Sequence, residues 1–276
     1  MITSFIAENY RSIDGEIRLS FMADTGIKDM DNRGYTTVAN TRVLNAKAFY
    51  GANSSGKSNV FKAVGRVRSI IIHSVRLNDN ETLPYDAFLL SDKEARPTRF
   101  EMSFVDGTDK FTYGFSYTVK RIEEEWLVVK FPKRSLKTLL RRTLDTIEID
   151  EQNYPEGLSI KEGTIPLNSN RLFISLAAQL GGEISKRVIE WFRTKPNVIS
   201  GLRDNDFSRY TKEMLHTRTD YKDEILNFIS GMEVGFHEVN TEQEYIDEKM
   251  LPKGLPAEVV VSRKEHPPIV AYAKHS

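Results

Sequence analysis

The sequence predicts a mixed α/β fold, in which antiparallel strands flank a strand–loop–helix unit and a helical lobe follows. Three observations carry that prediction. A Gly- and Ser-rich octapeptide, Gly51 to Ser58, separates a short apolar run from a segment of helical periodicity. Alternating apolar and polar residues with hairpin signals lie on both sides of it. Between residues 166 and 235, apolar residues recur at helical spacing.

Taken in order, Ile2 to Ala7 and Glu16 to Phe21 read as two short strands. The polar stretch between them ends in Asp14-Gly15, a hairpin signal. Ala23 to Thr41 is polar and Gly-containing, and reads as loop. Ala46 to Tyr50 is short and mostly apolar, as a buried strand would be. Ser58 to Val75 carries Val60, Ala63, Val64, Val67, Ile70, Ile71 and Val75 on one helical face.

The octapeptide GANSSGKS fits the pattern G-x-x-x-x-G-K-[ST] of a phosphate-binding loop, placed between a predicted strand and a predicted helix as that chemistry requires. Gly51 and Gly56 permit positive φ and close approach of the backbone. The N–H groups of Ala52, Asn53, Ser54 and Ser55 and the start of the helix offer donors to phosphate oxygens. Lys57 brings a full charge to the β- and γ-phosphates, and Ser58 a hydroxyl for Mg²⁺. ATP and Mg²⁺ are the expected ligands, and the core is expected to be that of a P-loop NTPase.

Residues 81–165 read as an antiparallel arm. Thr98 to Val105 and Lys110 to Val119 alternate about Asp106-Gly107, and Glu125 to Val129 forms a further strand. Lys130 to Arg142 holds six basic residues and no acid. A solvated strand face accounts for that run, and a phosphate-contacting face for DNA is the functional alternative. Leu172 to Leu180 is a helix with Ser169 or Asn170 as its cap. Gly181-Gly182 ends it, and Glu183 to Arg193 and Tyr221 to Ile229 are further helices. Val234 to Val239 and Glu258 to Ser262 are short β-like runs, and nothing after Val261 reads as a long element. The expected organisation is a nucleotide-binding core (1–80), a β arm (81–165), a helical lobe (166–235) and short strands (236–276) that begin a missing C-terminal half.

Composition removes several function classes. The 39 basic and 39 acidic residues balance, so a strongly cationic nucleic-acid-coating protein is not indicated. With no cysteine there is no disulfide framework and no Cys-ligated metal, which fits a cytoplasmic protein. No apolar run approaches the roughly 18–20 residues of a membrane span. The five histidines form no H-x-x-x-H pattern and there is no G-x-S-x-G elbow.

The pattern F-x-x-x-N-Y-R-S-I at Phe5 to Ile13, followed by YGANSSGKSNVFKAV, resembles the ABC-type ATPases of the RecF, SMC and OLD group. The likeness is greatest to stand-alone bacterial AAA-labelled proteins of that group, many tied to phage defence. The resemblance implies that Asn9, Arg11 and Ser12 lie close to the nucleotide, together with Asn53 and Asn59 beside the loop. It also implies a helical lobe, a Gln near Mg²⁺ for which Gln179 is the candidate, and head-to-tail dimers with ATP sandwiched between them. DNA or an effector nuclease would be the partner.

Such an ATPase also needs a signature loop and an apolar strand ending in Asp-Glu, which hold Mg²⁺ and polarise the attacking water. Leu180 to Glu183, LGGE, only superficially resembles the first. Asn197 to Asp204 fails as the second because Ser200-Gly201 interrupts it and no Glu follows. The sequence therefore reads as the N-terminal portion of such an ATPase, incomplete at the C-terminus and lacking a catalytic Glu. A second copy or a C-terminal complementing chain would supply the missing half. A P-loop kinase, for which Arg141-Arg142 is the only hint, and a truncated non-hydrolysing nucleotide-binding module are the other readings.

Overall fold

The computed structural model describes residues 1–24, 34–90, 96–199, 205–231, 236–243 and 269–275. It divides into two units, Met1–Val198 and Ile199–Ser276. The architecture is mixed α/β, as the sequence predicts.

The first unit is built on a seven-stranded sheet in the order β2-β1-β5-β6-β7-β8-β9. Its strands are β1 (Ile2–Glu8), β2 (Ile17–Ser20), β5 (Thr98–Asp106), β6 (Asp109–Tyr117), β7 (Ile122–Lys130), β8 (Lys137–Arg142) and β9 (Ile147–Ile149). Every neighbouring pair is antiparallel. N-terminal preface and arm are therefore one surface, because β1 pairs directly with β5. The β5–β6 hairpin closes on Gly107, whose φ of 56° lies in the left-handed region that glycine enters at least cost.

Alternation assigns the two faces. Phe100, Met102, Phe111, Tyr113, Phe115, Leu127 and Val129 are buried on one side. That side is covered by α1 (Lys57–His73), α3 (Phe173–Gln179) and α4 (Glu183–Thr194), whose buried residues join the same core. Phe104 stacks on Trp191 of α4 with ring centroids 3.9 Å apart. On the opposite face Trp126 lies against Gly114, where a Cβ would come within 2.3 Å of the indole. A side chain at 114 would expel that ring.

One buried carboxylate couples the sheet to the helices. Glu125 of β7 is fully buried. It accepts from the Phe173 N–H at 2.7 Å, the Ile174 N–H at 2.9 Å, the Tyr113 hydroxyl at 2.9 Å and Arg142 Nη1 at 3.4 Å. Burial pushes its pKa up, opposed by Arg142 and the two backbone N–H groups. The cap of α3 thus comes from a residue 48 positions away, not from Ser169 or Asn170. Asn170 is instead committed to the Asn78 and Glu81 carbonyls, both at 2.8 Å. The start of α4 is held in the same way by Glu156, which accepts from the Ile184 N–H at 3.0 Å and the Ser185 N–H at 2.7 Å.

The structure departs from the sequence reading in further places. Part of the predicted loop 23–41 folds into a hairpin of β3 (Tyr35–Val38) and β4 (Thr41–Leu44). Its two-residue turn, Ala39-Asn40, has φ of 49° and 56°, a mirror-image turn made without glycine. Ala46 to Tyr50 is not a strand. No strand among the described residues pairs with it, and Tyr50 is 92% exposed. A run that is apolar on both faces is strand-like only when neighbours lie on each side.

The second unit holds α5 (Asn205–Thr217), α6 (Thr219–Gly231) and an antiparallel pair, β10 (Phe236–Gln243) with β11 (Ile269–His275). The thirteen-residue α5 and the seven-residue β11 are departures too, since no helix was expected between Arg193 and Tyr221 and no long element after Val261. The last segment becomes a strand through its pairing with β10. Glu258 to Ser262 lies outside the described residues.

Glu125→Ala would leave the Tyr113 hydroxyl and two N–H groups unpaired and would strip the buried Arg142 guanidinium of its counter-charge, leaving it the Arg171 carbonyl at 2.7 Å. Removing one partner of a buried pair costs about 3–5 kcal/mol. Urea denaturation of Glu125→Ala should show a loss of that size, and a loss under about 1 kcal/mol would contradict the coupling role.

Candidate functional site

The loop Gly51–Gly56 leads straight into α1. Ser54 and Gly56 take positive φ, 64° and 89°, which turns the backbone sharply before the helix. Two close contacts restrict both glycines. A Cβ on Gly51 would lie 2.9 Å from Ser55 Oγ, and one on Gly56 would lie 2.8 Å from Ser12 Oγ. The Gly56 cap makes no side-chain hydrogen bond, and the first turn of α1 holds no acidic residue. The Ser55 and Asn59 N–H groups are spent on the Ala52 and Gly56 carbonyls, and the positive end of the helix with a nearby ammonium fits an anion.

Lys57 Nζ donates to the Gly51 and Ala52 carbonyls, both at 2.6 Å, and lies 3.4 Å from Ser55 Oγ. The cation is therefore folded back over the loop. Ser58 exposes its hydroxyl one residue into the helix. Ala52, Asn53, Ser54 and Ser55 are exposed. Asn59 donates through Nδ2 to Ser12 Oγ at 2.7 Å.

The three N-terminal candidates occupy different positions. Ser12 touches the loop through Asn59 and Gly56. Arg11, at φ 52°, pairs with Asp86 at 3.2 Å and packs on the Tyr10 ring. Asn9 is 2% exposed; it donates to the Arg96 carbonyl at 2.5 Å and accepts from the Phe88 N–H at 3.1 Å. It holds the strand end to the following loop and does not reach the phosphate loop. Gln179 lines a pocket of about 590 Å³ with Ile71, Ile72 and Val75. At 1.5 Å per residue along α1, that is roughly 20 Å from Ser58. The structure does not bring Gln179 and Ser58 together.

Asp86 was not legible as part of this region. It sits 75 residues after Arg11 in sequence, yet accepts from both Arg11 and Arg66 of α1, the latter at 2.5 Å. Burial pushes its pKa up, but the Arg66 and Arg11 guanidiniums outweigh burial and hold the carboxyl below its usual value. LGGE forms the link between α3 and α4, with Gly181 at φ 106°. Of Asn197 to Asp204, residues 200–204 lie outside the described residues. No group of three or more His, Asp or Glu side chains suited to a metal exists among the described residues.

A protein-family model described as "AAA domain, putative AbiEii toxin, Type IV TA system" matches residues 48–177. The match supports a P-loop, AAA-type ATPase-like domain. It takes in the phosphate loop, α1, β5 to β9 and most of α3, a little under half of the chain. No curated protein matches the chain. Among the described residues, no helix is long and apolar enough to cross a membrane.

A carboxylate held below its ordinary value contributes stability that is present above the unfolded value, about 3.9, and is lost as pH falls through the folded one. Wild type should therefore lose more stability than Asp86→Asn as pH falls below about 4. Parallel urea midpoints for the two proteins across that range would contradict the role of Asp86 in holding Arg11 to α1.

Proposed function

We propose that this chain binds ATP at Gly51–Asn59 and belongs to an ATP-driven machine of the RecF, SMC and OLD type. The observation that carries the reading is the uncapped, acid-free start of α1 beneath a loop whose Gly56 takes φ 89°, where any side chain is strained. The first-turn N–H groups of α1 bind and orient the phosphates. Lys57 exchanges neutral loop carbonyls for a charged phosphate oxygen, and charge-assisted bonds are the stronger ones. The hydroxyl of Ser58 would hold the Mg²⁺ that accompanies ATP, and that ion would supply positive charge to offset the phosphates.

Hydrolysis is assigned to a composite site. The described residues bring no carboxylate cluster to Ser58, so a second copy or a complementing chain supplies the carboxylates that hold Mg²⁺ and direct water. ATP occupancy would then favour the associated state, since a ligand shifts an equilibrium by its differential affinity for the two states. DNA or an effector nuclease is the proposed downstream partner, in genome maintenance or phage defence, and the proposed place of action is the cytoplasm.

The test is calorimetric ATP binding by wild type and Lys57→Ala. Loss of a charge-assisted contact costs about 1.5–3 kcal/mol, so the variant should bind roughly 10- to 150-fold more weakly. Equal affinity for both proteins would overturn the phosphate-loop reading.

A further inference from the structure

A second cluster of cations shares no lining residue with Gly51–Ser58. A pocket of about 520 Å³ is lined by Lys110, Lys130, Lys133 and Arg134, with Phe131 and Pro132 between the cations. No carboxylate lines it. Among the described residues, none of these four cations has an ion-pair partner; Arg134 lies over the Phe131 ring at 5.9 Å. Two features here work against stability. Lys110 of β6 and Lys130 of β7 are direct cross-strand partners, and like charges so placed repel. Lys133 holds φ at 58°, in the left-handed region that disfavours a side chain. Repulsion and strain at one concave spot point to a ligand that relieves the repulsion.

We infer that this pocket binds a compact, multiply charged phosphate ligand, a nucleoside polyphosphate, at a site separate from Gly51–Ser58. The size of the pocket is that of a small-ligand site. Four converging cations match the charge of a polyphosphate, and Phe131 and Pro132 offer apolar surface that a nucleobase covers. An extended nucleic-acid backbone fits less well. The sheet face beyond Lys130 alternates in sign, with Glu124 and Glu101 among Arg99 and Arg141, and so offers no unbroken cationic track. The inference stands independently of the phosphate loop.

The experiment is isothermal titration of ATP and of inorganic tripolyphosphate into the full chain, its Lys57→Ala variant, and Lys57→Ala combined with Lys130→Ala and Lys133→Ala. Two ATP equivalents are expected for wild type and one for Lys57→Ala. The triple variant should bind both probes at least about tenfold more weakly than Lys57→Ala. Tripolyphosphate binding as tight as ATP binding would overturn the nucleoside part of the inference. Without ligand, Lys130→Ala should melt at or above the wild-type temperature, because it removes the cross-strand repulsion; this separates loss of the site from loss of the fold. The inference is overturned if Lys57→Ala binds neither probe, or if the lysine replacements leave binding unchanged. It is equally overturned if a thymidine 20-mer binds Lys57→Ala more tightly than tripolyphosphate and loses that binding in the triple variant. Unchanged ATP binding by Lys57→Ala with one wild-type equivalent would instead fault the phosphate loop and leave this pocket standing.

Discussion

The phosphate loop depends on how α1 is seated. The helix is fixed along its length by side chains from the rest of its unit. Asn59 reaches Ser12, the Lys62 carbonyl accepts from Tyr10, and Arg66 pairs with Asp86. Arg68 donates to the Phe192 and Arg193 carbonyls, and Ser175 donates to the Ile71 carbonyl. Between these contacts Ala63, Val67, Ile70 and Ile71 are buried in the common core. Each large aliphatic side chain so buried contributes about 1.5–3 kcal/mol. The loop itself is exposed, so its shape is set by the helix it enters and by Ser12 against Gly56.

This seat is an antiparallel sheet. Phosphate loops are readily pictured on a parallel sheet, with the preceding strand in the centre. Here the segment Ala46 to Tyr50 forms no strand and is largely exposed, while the sheet that carries α1 begins far earlier in the chain, at Ile2 of β1. The N-terminal preface is therefore structural as well as local to the site. Its strand builds the sheet, and its turn supplies Ser12 to Asn59 and Arg11 to Asp86.

Much of this was readable in the residues. The phosphate loop, the β1–β2 hairpin, the β5–β6–β7 meander and α4 follow from motif and periodicity, because alternation and glycine placement are local signals. What escaped was non-local or atypical. The β3–β4 hairpin turns on Ala39-Asn40, a pair without the glycine that announces such turns. The cap of α3 is Glu125, which in sequence looks like the end of an acidic run and in the fold is a buried acceptor. Asn9 shares a motif with Ser12, yet backbone geometry sends Asn9 into the interior and Ser12 to the loop. No periodicity distinguishes those two fates.

The central claim is that the preface turn and the phosphate loop act as one unit through Ser12 and Asn59. A double-mutant cycle on ATP affinity, with Ser12→Ala, Asn59→Ala and the pair, tests it most directly. The account predicts that each single change weakens binding and that the double variant is no weaker than the worse single one. Fully additive losses, or no loss in either single variant, would contradict it.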